Sequence, residues 1–275
     1  MRPVVVTSAI AAFVAAVAFA FSCADTSGLA GAKDGADGGD AATVEDAASL
    51  PDAVSDASPD AGSGFCATHP GHTFCDDFDD GDLAARWSSV FGVRGAPLRD
   101  DAGATSPPFA LLATAAATTS AAGDFHASSV LKVFSATTHL HLSANVLALQ
   151  PLAGLNTVYI RPSPLPGNAL FYEVSIWTPP NGTSTLEHYV FYPDGGGPKT
   201  NQPFTESWAG WRHVELDVRF DTAVATLTID GVQRGTVALE AVQPTAVEVE
   251  LGIPYADPVD AGKSVRWDDV TIDAE

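Results

Sequence analysis

Two packed antiparallel β-sheets are the fold class this sequence predicts, and three observations predict it. From Phe65 onward, aromatic and β-branched residues recur in runs that alternate with period two, the pattern of strands with one buried face. Turn-forming residues such as Asp230-Gly231 separate those runs. No stretch after Phe65 carries a long apolar stripe at helical spacing. Within 275 residues of 46% apolar content this makes one all-β domain, placed at 65–275, behind a signal segment (1–23) and a linker (24–64).

The signal segment begins with Met1 and Arg2 and continues in an apolar, Ala- and Val-rich run from Val4 to Phe21. A short charged start and a hydrophobic run of this length predict export followed by cleavage, and the absence of a basic cluster after the run argues against a membrane-spanning anchor. Ala20-Phe21-Ser22-Cys23 resembles a bacterial lipoprotein box, with Ala where that box usually has Leu, and implies lipidation of Cys23. Ala18-Phe19-Ala20 and Ser22-Cys23-Ala24 are the alternative, ordinary peptidase sites. The expectation is a protein of the cell envelope or outer surface, lipid-anchored or, alternatively, secreted. From Asp25 to about Gly64 the chain is Ala, Asp, Gly, Ser and Thr with scattered acids, too little apolar area to offset the entropy of ordering, so a disordered tether is predicted.

Cys66 and Cys75 then form a pair in a compartment that permits disulfides. The competing reading is a zinc site that adds His69 and His72 between them; Pro70-Gly71 favours a short loop pinned by a disulfide. A net charge of −21 argues against a nucleic-acid partner and against electrostatic attraction to anionic lipid, leaving contact with a membrane to the N-terminal anchor.

Within the domain, Thr138 to Val146 alternates so that Leu140, Leu142 and Val146 share one face and His139, His141, Ser143 and Asn145 the other. Leu170 to Trp177 sends Tyr172, Val174 and Ile176 inward and Phe171, Glu173, Ser175 and Trp177 to a face that is wet or occupied. Arg212 to Phe220 buries Val214, Leu216, Val218 and Phe220, and the Asp230-Gly231 turn joins a strand over 223–230 to one that starts at Val232. Strands over 246–252 and 264–273 finish the chain, and Ala113 to Ala122 reads as a small-residue strand or loop.

The opening Phe74-Cys75-Asp76-Asp77-Phe78-Asp79-Asp80-Gly81-Asp82-Leu83 with Trp87 resembles the start of concanavalin A-like jelly rolls of the laminin G and bacterial glucanase-related group. Trp211 to Leu216, Leu227-Thr228-Ile229-Asp230-Gly231 and Trp267 to Ile272 are similar to that group's late strands, in order. The resemblance implies a jelly-roll sandwich and makes Trp87, Trp211 and Trp267 framework residues. It leaves function open, since the fold hosts lectins, adhesion modules and glycosidases.

Among the glycosidases, the laminarinase-like families place Glu-x-Asp-x-x-Glu on one strand; Glu215 and Asp217 fit, but Phe220 stands where the final acid belongs, so the usual proton donor is missing. Glu215 and Asp217 are therefore expected to be solvated strand-face residues. Glu173 or Glu187 would have to serve a hydrolase of another kind, and His139, His141, His213, Tyr189 and Arg212 supply the residue types of a lyase without anything that joins them. Sugar binding needs only aromatic rings and a few polar groups, and Trp177, Glu173, Tyr192 and Trp208 are its candidates. Asp77, Asp79 and Asp268, with Asp76 and Asp269 beside them, are candidate ligands of a structural calcium ion where the first and last strands meet; otherwise these acids satisfy strand-end amides. The expected function is a non-catalytic module that recognises a glycan or surface component, followed by a protein-contacting adhesive role and then by a polysaccharide hydrolase or lyase.

Overall fold

A computed structural model describes residues 64–116, 126–180, 182–256 and 262–275. Cys23, the signal segment and all of the linker but Gly64 lie outside them. Among the described residues, helix is limited to α1 (Phe65–Thr68) and α2 (Leu83–Arg86). The strands are β1 (Phe74–Asp76), β2 (Ser89–Val93), β3 (Leu98–Asp100), β4 (Ala110–Ala115) and β5 (His126–Ser135), then β6 (His139–Ala148), β7 (Leu155–Ser163), β8 (Phe171–Thr178), β9 (Ser184–Phe191) and β10 (Lys199–Phe204). After them come β11 (Arg212–Arg219), β12 (Val224–Ile229), β13 (Val232–Ala238), β14 (Ala246–Ala256) and β15 (Lys263–Ala274).

They pair into two antiparallel sheets packed as a sandwich. Sheet A runs β13-β12-β11-β6-β15-β4-β3, with β1 also on β15, and sheet B runs β10-β9-β8-β7-β14-β5-β2. First and last strands are neighbours, Cys75 facing Thr271 across β1 and β15. The inward residues behave as alternation requires: Leu140, Leu142, Val146, Tyr172, Val174, Ile176, Val214, Leu216, Val218 and Phe220 are all buried in one core. Trp87 and Trp267 belong to that core as well. Cys66 and Cys75 are joined in a disulfide, which removes the zinc alternative because both sulfurs are already bonded.

Two irregularities shape the outer face of sheet B. The register of β7 against β8 shifts between Asn156 and Tyr159, and that of β14 against β7 shifts between Leu251 and Tyr255. Gly252 makes the second possible: its φ is +122°, and a Cβ there would stand 2.5 Å from the Ser128 carbonyl oxygen. A bulge inserts a residue and flips the parity beyond it. Glu250 and Tyr255 therefore share one face although their numbers differ in parity.

Candidate functional site

The outer face of sheet B gathers the chemistry. Register places Tyr159 opposite both Ser175 and Glu250, Glu173 opposite Tyr189, Ser175 opposite Glu187, and Trp177 opposite Asn156. An outward strand face is normally solvated, yet Asn156, Tyr159, Glu173, Ser175, Glu187 and Glu250 are all buried. Phe171, Trp177, Tyr189, Phe191 and Tyr255 around them are half-buried. The middle of the face is thus a recessed polar patch with aromatic rings at its rim. Trp177 and Tyr255 form one ring pair, with centroids 6.3 Å apart. Tyr159, Phe171, Tyr189 and Phe191 form a chain of rings at spacings of 6.3 to 6.4 Å.

Inside the patch the polar groups are unequally satisfied. The Glu250 carboxylate accepts from Ser129 Oγ at 2.5 Å and from Arg161 Nη2 at 2.7 Å, while Arg161 Nε lies 3.3 Å from Glu248. Lys199 Nζ pairs with Glu187 at 2.8 Å. The Asn156 amide donates to the Tyr159 hydroxyl at 2.9 Å. Glu173 has only a long bond from Ser175 Oγ, 3.4 Å to Oε1. Its Oε2, like Asn156 Oδ1, is buried without a hydrogen-bond partner among the described residues.

Burial without a cation of its own sets the state of Glu173. Desolvation, reinforced by neighbouring Glu187, pushes its carboxyl up to about 8, so at neutral pH it holds its proton. Burial raises Glu250 as well, with Arg161 and the Ser129 hydroxyl acting against it. Tyr159 is raised by burial first and then by Glu173 and Glu250.

Trp177 and Glu173 stand on this face; Tyr192 and Trp208 do not. The Tyr192 hydroxyl donates to Glu240. Trp208 is turned to the core side, where its Nε1 donates to Ser184 Oγ at 3.1 Å, and it lines a separate cavity of about 390 Å³ with Leu149, Pro151 and Glu206. Glu173 and Ser175 are buried rather than wet, standing in register with Tyr189 and Tyr159 of the flanking strands. Sequence reasoning missed Asn156, Arg161, Glu250 and Tyr255: it placed no strand over 155–163, and the bulges take Asn156 and Tyr255 out of the period-two pattern. Gly252 within a strand was the one available signal.

At the junction of first and last strands, Asp268 Oδ2 accepts from Thr105 N at 2.7 Å and Ser106 N at 3.0 Å, and burial raises its carboxyl to about 6. Asp77 accepts from Cys66 N at 3.0 Å and Asp79 from Phe109 N at 2.9 Å. Asp76 takes the Trp87 indole N–H at 2.7 Å, and Asp269 accepts from Asn145 at 2.8 Å. Among the described residues, no group of three or more His, Cys, Asp or Glu side chains is placed to hold a metal ion.

On sheet A's outer face, Glu215 and Asp217 are partly exposed and neighbour histidines. His139 Nε2 is 2.7 Å from Asp217, and His213 Nε2 is 3.4 Å from Glu215. His141 Nδ1 is 3.7 Å from the same Asp217 oxygen.

Solved structures similar to this chain include the cellulose-induced protein Cip1, with a TM-score of 0.54 at 12% identity over 74% of this chain and 97% of that one. A second comes from work on endo-acting O-glycanases with which members of the human gut microbiota initiate mucin breakdown, with a TM-score of 0.51 at 11% identity over 74% and 100% of the two chains. What they share with this chain is the fold. No protein-family model and no curated protein matches the sequence.

Proposed function

We propose that this domain is an exported module that recognises a glycan through the outer face of sheet B. The observation that carries the reading is the recessed patch itself: buried acids and amides held between the Trp177–Tyr255 pair and the chain of rings from Tyr159 to Phe191. Rings of this kind cover the C–H faces of sugars, and the polar groups between them meet hydroxyls. Two supports come from outside the patch. The fold neighbours are carbohydrate-related, and the opening and late-strand motifs resemble concanavalin A-like jelly rolls. Placement at the envelope or outer surface, through lipidated Cys23 or by secretion, belongs to the same reading and rests on the N-terminal sequence.

A lyase acting on polyuronates fits the face less well. Even with Glu173 protonated, Glu187, Glu248 and Glu250 outnumber Arg161 and Lys199, and such a balance repels an anionic chain.

The test is a glycan-array binding assay on the full-length protein beside Trp177→Ala. Array binding that falls about 30-fold or more in the variant supports the face, as loss of a central aromatic anchor should cost ~2 kcal/mol. Binding that survives the substitution places recognition elsewhere. Calcium at Asp77, Asp79 and Asp268 is a separate proposal, checked in the same preparation: a melting temperature unmoved by chelator at neutral pH removes it.

A further inference from the structure

We propose, resting on the glycan reading above, that the recessed patch prefers sugars bearing a protonated amine over their neutral and anionic counterparts, and that Glu173 is the carboxyl that receives the ammonium.

Most charges on this face are already matched. Arg161 serves both Glu248 and Glu250, and Lys199 serves Glu187. Each pair lies at 3.3 Å or less. Glu173 is the remaining acid of the face, 5% exposed, with an oxygen that no donor reaches among the described residues. The polar groups facing it are Ser175 on its own strand, Glu187 and Tyr189 on β9, Tyr159 and Arg161 on β7, Lys199 on β10 and Glu250 on β14. The two cations in that shell are committed to other carboxylates.

A buried carboxyl in this position keeps its proton, as Glu173 does at neutral pH. A ligand can change that in three ways, depending on its charge. A hydroxyl satisfies Oε2 as a hydrogen-bond partner and leaves the charge balance alone. An ammonium satisfies the same oxygen, supplies the missing cation and draws the proton off, turning a neutral contact into a charge-assisted one. A uronate or sulfate adds another negative charge to a face that already has too many. The preference therefore runs from amine to neutral to anion. The aromatic rim accommodates the sugar ring in all cases, so selectivity falls on the substituent that meets Glu173.

The experiment is titration calorimetry of the full-length protein with oligosaccharides of one β-1,4-linked backbone that carry a hydroxyl, an N-acetyl group or a free amine at C2. It is run at pH 7 and at ~0.3 M salt, where the Debye length falls to roughly 5–6 Å and the general attraction of a polycation to a chain of net charge −21 is screened. The amine form is expected to bind about tenfold tighter than the N-acetyl form or better, and to release about one proton for each ligand amine already protonated in solution, when buffers of different ionisation heat are compared. Glu173→Gln should bring amine and N-acetyl forms to parity without weakening the neutral sugar, a result that a merely structural role for Glu173 would not produce. Lys199→Met, which frees Glu187, should strengthen amine binding.

Equal binding of the three forms by the wild-type protein overturns the amine preference and leaves the glycan reading standing. A Glu173→Gln protein that still prefers the amine overturns the assignment of the ammonium to Glu173 and likewise leaves the glycan reading standing. Absence of binding to all three, in a protein that also binds nothing on the array, overturns both.

Discussion

The outer faces of the two sheets start from similar alternation and end in opposite states. On sheet A, β6 and β11 bury every second residue and leave the intervening ones partly or fully exposed, with Glu215, Asp217 and their histidine neighbours open to solvent. On sheet B, β7, β8 and β14 are buried on both faces through their middles, and the outward acids sink between aromatic rings. A carboxylate on the first face is hydrated, and its ion pairs are worth little. On the second face the same group must find a cation, find donors or keep its proton. The outward polar residues of β6 and β11 are therefore mostly hydrated, whereas those of β7, β8 and β14 include buried atoms without a hydrogen-bond partner among the described residues.

Removing Arg161 should show this contrast most strongly. Arg161→Met leaves Glu250 buried with only the Ser129 hydroxyl, and a loss of about 3 kcal/mol is expected in denaturant unfolding at pH 8. The loss should shrink as the pH falls, because burial raises the Glu250 carboxyl and protonation removes the unpaired charge; a loss below ~1 kcal/mol at pH 8 would mean that the two faces are energetically alike.

Glu173 sharpens the same comparison through pH. Its carboxyl binds a proton more tightly folded, at about 8, than unfolded, at 4.5, so between those values the unfolded chain holds fewer protons and stability falls as pH rises. Glu173→Gln abolishes that dependence. The variant should be within ~1 kcal/mol of wild type at pH 5 and gain roughly 3 kcal/mol relative to it by pH 8, read from melting at both values. A constant difference across the range would show that Glu173 does not titrate there.

The smallest effect belongs to sheet A. Asp217→Asn weakens contacts to His139 and His141 on a solvent-facing strand, and should change stability by less than about 1 kcal/mol and leave glycan binding unchanged. A larger change, or lost binding, would give that face a role comparable to sheet B's.

The sequence by itself determined the all-β class, the strands β6, β8 and β11 to β15, and the core residues that they carry. Alternation is a local property, and Leu140, Tyr172 and Leu216 carry it without reference to the partner strand. It placed Glu173 and Trp177 on one outward face for the same reason, and it paired Cys66 with Cys75. Only the tertiary structure decided which outward residues would be buried, because that depends on rings from strands distant in the chain. Tyr159 and Glu250, from β7 and β14 and nearly a hundred residues apart, pair directly, and Asn156 and Tyr255 join them through two bulges that break the parity on which a sequence reading depends. Cross-strand register and local backbone irregularity are settled by packing. The candidate site is built from both.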